Sequence, residues 1–499
     1  MLFNSWSFAL FLPIVFALYW LIPTKFRWIV LLVASYYFYM SWNPVYVVLI
    51  LFVTVLSYTM SLLIKNSDSV KKRKWFVAIT AIASLGVLFV FKYYNFFMDS
   101  FVLLMKSVGL HFHVGTLRVL LPVGISFYTF QTISYVVDVY RSKVEPERNF
   151  GIYATFVAFF PQLVAGPIER ASNLLPQIAS HHVFDYHQAT YGLKLMAWGF
   201  FKKIVVADTL AGIVDSIYEN PDTSSGFTFV LVTVFFAIQI YGDFSGYSDI
   251  AVGCGKLFGI NLMDNFHSPY LATSLKDFWA KWHISLSGWF KDYVYIPLGG
   301  NRCGKLRRSF NLIVTFLASG IWHGANWTYL AWGAVHGVAR AGENICNDLR
   351  KSIHSRRLAQ GKQVRPLPED KGYPHTFSGW ISALVTFIFA AMAFVIFRAE
   401  NIRQASMIFS NYFMGITSPV SYLVNGVHGC GMSIDECVSV LIMVVAVFVF
   451  DYFNLRTNVI RKISSLKPVL RWTIYVAFLI FALYLLPVQA GGEFIYFQF

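Results

Sequence analysis

The stretch SGIWHGANWTYLAWGAVHG (Ser319–Gly337) places a titratable ring, His323, in an apolar and aromatic run. Working outward, the run is flanked by Arg307 and Arg308 before it and by Arg340 and a Lys/Arg-rich stretch after it. Both flanks read as cytoplasmic, because basic residues collect on that side of membrane proteins. Arg308 and Arg340 are 32 residues apart. At about 1.5 Å rise per residue that is too short for two full crossings and long for one. The reading is a segment that enters and returns, with its turn near Gly320–Asn326. His323 lies 15 residues beyond Arg308, on the order of 22 Å of helix and so near mid-membrane or beyond. Broken helix at that depth is tolerated only where it is buried in protein or lines a wet cavity. An ionisable group there is a functional candidate by default, and imidazole is the side chain suited to base work near neutrality. Trp322 and Trp327 are expected to wall the site and Asn326 to orient the ring or bind a carbonyl. The alternative is a core histidine bonded to a backbone carbonyl. His336, nearer the cytoplasmic end, reads as structural.

The rest of the chain agrees with a membrane setting. Of 499 residues, 57% are hydrophobic and only 13% charged, against about 25% charged in soluble domains. Mean hydropathy is +0.57. Apolar runs fall at about 7–22, 28–42, 44–64, 75–92, 119–138, 188–207, 226–241, 312–335, 380–397, 437–453 and 471–487. The fold expected is an all-α, multi-pass integral membrane protein with about 11 transmembrane helices plus re-entrant and interfacial helices. No linker or repeat divides it, so 1–499 reads as one domain. The formal charge of +15 sits in short patches between apolar runs, which fits cytoplasmic loops and excludes a nucleic-acid partner. The largest are 276–308, a polar loop at about 347–373, and 454–471. The first apolar run lacks a basic leader and a small-residue cleavage site and reads as a retained membrane segment. Five cysteines without a CxxC pair give no zinc or disulfide framework. Cys430 and Cys437 are close enough to pair in an oxidising compartment but read as free thiols.

Three further stretches carry polar residues in apolar surroundings. KDFWAKWHISLSGWFKDYVYIPLGGNR (276–302) mixes tryptophans with charges, as membrane interfaces do. Read as one helix, it puts Trp279, Trp282, His283 and Leu286 on one face. YGDFSGYSDIA (241–251) holds Asp243, Ser245, Ser248 and Asp249 between glycines; helix caps and a turn are expected there, and no metal ligand set is evident. FFPQLVAGPIER (159–170) ends in Glu169–Arg170, an ion pair or turn. Nucleotide loops, GxSxG and HExxH are absent from the sequence.

Together with LPVGISFYTFQTISYVVDVYR (121–141), these motifs resemble the membrane-bound O-acyltransferase family, in particular its bacterial alginate O-acetyltransferase branch. The resemblance covers nearly the whole chain, is weakest at 345–375 and 402–435, and has its core at about 121–340. It implies a horseshoe of helices around a thinned centre, with funnels from both faces. It puts the catalytic histidine at His323 and the family's second histidine at His283. It further implies a bacterial plasma (inner) membrane location. The donor would be acetyl-CoA or another acyl thioester, with no permanently bound cofactor. A periplasmic or extracellular partner protein would complete transfer to polysaccharide hydroxyls, of alginate-like exopolysaccharide or peptidoglycan. YIPLGGNR and the C-terminal GGEFIYFQF resemble the acetyl branch. Donor-binding residues are not identified by these motifs.

Two other readings compete. One is D-alanyl transfer to teichoic acid from a carrier protein, by a sibling with the same core. The other is a polymer or lipid transporter whose intramembrane polar residues line a path; transporters often carry internal repeats, and none is visible in the sequence.

Overall fold

The computed structural model describes all residues except 112–113, 118–119, 165, 225, 361–371 and 487–499. The C-terminal GGEFIYFQF and the middle of the 347–373 stretch therefore lie outside the described residues. The described residues form helices and no strands. In order these are α1 (Trp6–Leu21), α2 (Arg27–Met40), α3 (Val47–Lys65), α4 (Val70–Leu88), α5 (Tyr94–Ser107), α6 (Ile125–Tyr140), α7 (Phe150–Ala158), α8 (Phe160–Leu163), α9 (Ala171–Ala179), α10 (Tyr186–Phe200) and α11 (Asp208–Glu219). They continue as α12 (Phe227–Leu257), α13 (Leu275–Lys281), α14 (Ile284–Phe290), α15 (Lys305–His323), α16 (Trp327–Ala359), α17 (Phe377–Arg398), α18 (Ile402–Asn411), α19 (Pro419–Gly429), α20 (Ile434–Asn454), α21 (Val459–Ser464) and α22 (Pro468–Tyr484). Among the described residues, five helical stretches are long and apolar enough to cross a membrane: Pro44–Lys65, Val70–Ser107, Phe227–Leu257, Phe377–Arg398 and Ile434–Asn454. Trp6–Leu21, Phe150–Leu163 and Pro468–Tyr484 are apolar but shorter. The described chain divides into two compact units, Met1–Lys203 with Phe244–Asp264, and Ile204–Asp243 with the described residues from Asn265 onward.

In the first unit, small and polar residues sit where helices meet, as they do when packing rather than hydrophobicity must hold helices together. Ser57 Oγ lies 2.6 Å from Tyr153 OH, and Ser61 Oγ donates to Tyr135 OH at 3.2 Å. α10 crosses the second half of α12 on glycines. A Cβ at Gly199 would lie 2.6 Å from the Gly246 carbonyl oxygen, and one at Gly192 would lie 2.6 Å from that of Gly253. This approach brings buried Lys202, in the π-helical turn after α10, within 2.8 Å of both Asp249 Oδ2 and Ser245 Oγ. The expected caps and turn in 241–251 are thus not formed: α12 runs unbroken through them. Ser245 and Asp249 find their partner in Lys202, so these two side chains do not compete with the backbone of α12. Glu169 is fully buried and accepts from the Asn173 amide at 2.8 Å and from the Met263 backbone N–H. Burial pushes its pKa up to about 7, against the opposing pull of those hydrogen bonds.

The second unit holds the first half of α12 with α13–α22. Tyr241 OH donates to Asp451 at 2.7 Å, and Arg398 pairs with Asp215 at 2.7 Å. α15 and α16 form a hairpin whose turn, Gly324–Asn326, falls inside the predicted return region. Close glycine contacts zip its arms: a Cβ at Gly337 would lie 2.9 Å from the Cα of Ile313. The polar stretch expected as a loop from about 347 is helical as far as Ala359. Its Arg, Lys, Leu and Ala content favours helix strongly enough to extend α16 beyond its apolar part. Cys430 and Cys437 are both free thiols.

Candidate active site

The hairpin turn fixes the position of His323. α15 ends at His323 because Gly324 is extended, and any side chain there would overlap the Tyr329 ring. Asn326 then starts α16 by accepting from Thr328 N–H at 3.1 Å. Its side-chain amide donates to the Glu400 carbonyl at 2.7 Å. Asn326 therefore builds the turn and ties it to the segment after α17; of its two expected roles it fills the one toward a carbonyl, and its amide is committed there and to the helix start, not to the imidazole.

His323 is 4% exposed. Its ring meets three others edge-on, Trp322 at 4.8 Å, Trp332 at 5.1 Å and Phe397 at 5.2 Å between centroids. Trp322 is a wall, as expected. Trp327 is not: it is 56% exposed, because the turn points the first residue of α16 away from the cage. Its place is taken by Trp332, one and a half turns further along α16, and by Phe397 from α17. Trp332 lies in the same 319–337 stretch but beyond the turn, and Phe397 lies far along the chain. Their only sequence signal is that each lies on an aromatic-rich helix, which does not pair a residue with a site.

His283 does not lie within a helix. α13 stops at Lys281, His283 takes a left-handed backbone conformation (φ 45°), and α14 begins at Ile284. The single amphipathic helix expected over 276–286 is broken because a second strand of chain pairs with it. The Asn265 carbonyl accepts from Ile284 N–H, and Lys281 O accepts from His267 N–H, both at 3.0 Å. A non-glycine residue at positive φ is uncommon and persists where its surroundings hold it. Here Asn265 holds it: its side-chain oxygen accepts from Ser285 Oγ at 2.8 Å and lies 3.2 Å from His283 Nδ1. His283 is buried, and its ring faces Trp322 at 5.9 Å. Trp322 thus touches both motif histidines. Asn265 carried no signal of its own in the sequence.

His336 belongs to the same aromatic assembly. It is fully buried and packs on Trp332 at 4.8 Å, Trp279 at 5.0 Å and Phe389 at 5.4 Å. Trp279 Nε1–H donates to its Nδ1 at 3.3 Å. The order of contacts is His283, Trp322, His323, Trp332, His336, Trp279. α13, which carries Trp279, is held against α16 by Glu343, whose carboxylate accepts from Leu275 N–H at 3.0 Å and Lys276 N–H at 3.2 Å and pairs with Arg340.

A buried imidazole at a helix break, walled by aromatic rings and joined to a second motif histidine through one tryptophan, is the candidate reaction centre. Residues 147–360 match the model of the membrane-bound O-acyltransferase family, a range that contains all three histidines. The chain is 38% identical to a probable alginate O-acetylase of Pseudomonas aeruginosa, over 94% of this chain and 84% of that protein. The chain belongs to the membrane-bound O-acyltransferase family. It is thus a membrane protein and an acyltransferase, and it uses an acyl donor. It is also 35% identical to a peptidoglycan O-acetyltransferase of Helicobacter pylori, over 81% of this chain and 78% of that protein. A teichoic acid D-alanyltransferase of Streptococcus thermophilus is 30% identical over 57% of this chain and 69% of its own length.

Proposed function

We propose that this protein is a membrane O-acetyltransferase that passes an acetyl group from a cytoplasmic thioester, such as acetyl-CoA, toward hydroxyls of an extracellular or periplasmic polysaccharide of the alginate or peptidoglycan kind. The observation that carries the reading is His323, buried among aromatic rings at the turn of the α15–α16 hairpin. Water is largely excluded there, so a thioester is protected from hydrolysis while it awaits an acceptor. His323 takes the proton of the attacking hydroxyl as its oxygen bonds to the thioester carbonyl carbon. The carbon–sulfur bond then breaks, and the thiolate leaving group takes up that proton. His283, held by Asn265 and sharing Trp322 with His323, positions the donor. The basic stretch 276–308 faces the cytoplasm and attracts the donor's phosphates. The chain works as one bacterial inner-membrane domain of about eleven spans around a thinned centre open to both faces, and a partner protein outside completes transfer to the polymer.

The acetyl reading is favoured over D-alanyl transfer because the acetylating relatives match over 80% or more of this chain and the D-alanyl relative over 57%. The test uses inside-out membrane vesicles given acetyl-CoA. Release of free CoA that depends on the protein and places acetyl esters on polymer supports the reading. Labelling by D-alanine in its place, or polymer movement without thioester cleavage, overturns it.

A further inference from the structure

Among the described residues, Trp332 Nε1–H and His336 Nε2–H in the aromatic assembly find no acceptor. An indole N–H can only donate, so the Trp279 bond makes His336 Nδ1 the acceptor and leaves the proton of the neutral ring on Nε2. His336 Nε2 is buried without a hydrogen-bond partner, and so is Trp332 Nε1. The two residues lie one turn apart on α16, with ring centroids 4.8 Å apart, and Trp332 also touches His323. Buried donors are almost always satisfied, and each exception calls for an explanation. Two adjacent exceptions beside the reaction centre point to an acceptor that arrives with the substrate.

The surroundings select its chemistry. Trp279, Phe316, Trp332 and Phe389 enclose His336 with apolar faces. A carboxylate or phosphate would lose its hydration there with no counter-charge from those rings. An uncharged carbonyl oxygen loses less and accepts from both donors. We propose that Trp332 Nε1–H and His336 Nε2–H form a binding site for a carbonyl oxygen of the acyl donor, either the thioester's own or an amide of the arm that carries it. Trp279 is a positioning residue that sets the His336 tautomer. This rests on the acyl-transfer reading above.

The test is the dependence of CoA release on acetyl-CoA concentration in the same vesicles, with the melting temperature of the purified protein measured in parallel. The pair His336→Phe with Trp279→Phe replaces both partners of the internal bond by apolar rings. If these residues only pack, the pair is as stable as wild type or more so, with unchanged kinetics. The proposal predicts retained stability with KM for acetyl-CoA raised about tenfold, and partial recovery in His336→Gln, which keeps an N–H at similar reach. Wild-type KM and kcat in the paired variant overturn it. If that variant does not accumulate, Trp332→Phe deletes one N–H and keeps an aromatic ring, and its KM decides in the same way. Wild type and His323→Ala separate the two levels of the account. A wild type that does not cleave acetyl-CoA, or a His323→Ala that matches it, removes the functional reading and this site with it. An active wild type, an inactive His323→Ala and an unaffected paired variant remove this site alone.

Discussion

Two regions bury polar groups among apolar helices and do it in opposite ways. Where α10 meets α12, Lys202 finds Asp249 and Ser245, each at 2.8 Å. In the cage around His323, among the described residues, Trp332 Nε1 and His336 Nε2 find no hydrogen-bond partner. The first arrangement is closed: its charge is met within the chain, and what it gains is a fixed crossing of two helices on their glycines. The second is open, and it sits where the family's chemistry is expected. Burial of polar groups in a membrane protein therefore does not by itself mark a site; under the proposal above, the unmet N–H groups of Trp332 and His336 stand out because they adjoin His323.

The comparison breaks first at Lys202. Lys202→Met strips its partner from Asp249, whose side chain is 27% exposed, so the cost lies below that of a fully buried pair, at about 1–2 kcal/mol. Membrane abundance and melting temperature should fall sharply, with activity lost only in proportion to protein. Lys202→Met with Asp249→Leu should recover much of the stability, because an apolar pair of similar volume replaces a buried ion pair at little net cost. A stable but inactive Lys202→Met would move this pair into the functional class. The contrasting case is His283→Ala. It should leave the protein folded and reduce turnover several-fold with a higher KM for the donor; near wild-type activity at normal abundance would return His283 to a packing role.

A smaller effect sharpens the structural side. The Glu169 pKa, raised by burial to about 7, means that the folded protein holds a proton there that the unfolded chain releases near 4.5. Stability from this group is therefore fully present below about pH 4.5 and declines as pH rises toward 7. Glu169→Gln should flatten that part of the profile of melting temperature against pH. An unchanged slope would show that the carboxyl is ionised when folded.

The sequence made the local features legible and left the distant ones hidden. The hairpin turn could be read because glycines and basic flanks all lie within 307–340. That His323 is buried followed from aromatic neighbours and membrane depth, whereas the 276–302 stretch read as an interfacial helix and the burial of His283 was seen only in the fold. The break at His283 was not legible, because it depends on Asn265 and on backbone pairing with 265–267. The same holds for the continuity of α12, where Asp249 and Ser245 are at ease only because Lys202 approaches from another helix. Trp332 and Phe397 surround His323 through tertiary packing that no spacing rule encodes. Asn326 was half legible: its bond to a carbonyl is there, made to Glu400, but its role in starting α16 depends on its position before the helix and not on the histidine beside it.

The most direct test of the account is His323→Ala, read as acetyl ester content of the cell's polymer beside a blot of the membrane-bound protein. General-base catalysis typically contributes about 10²–10⁴-fold, so acetylation should fall to background while abundance is maintained. His323→Asn, which keeps hydrogen bonding but cannot take up a proton at neutral pH, should be nearly as inactive. A well-expressed His323→Ala protein that acetylates at the wild-type level would contradict the assignment of His323 as the base.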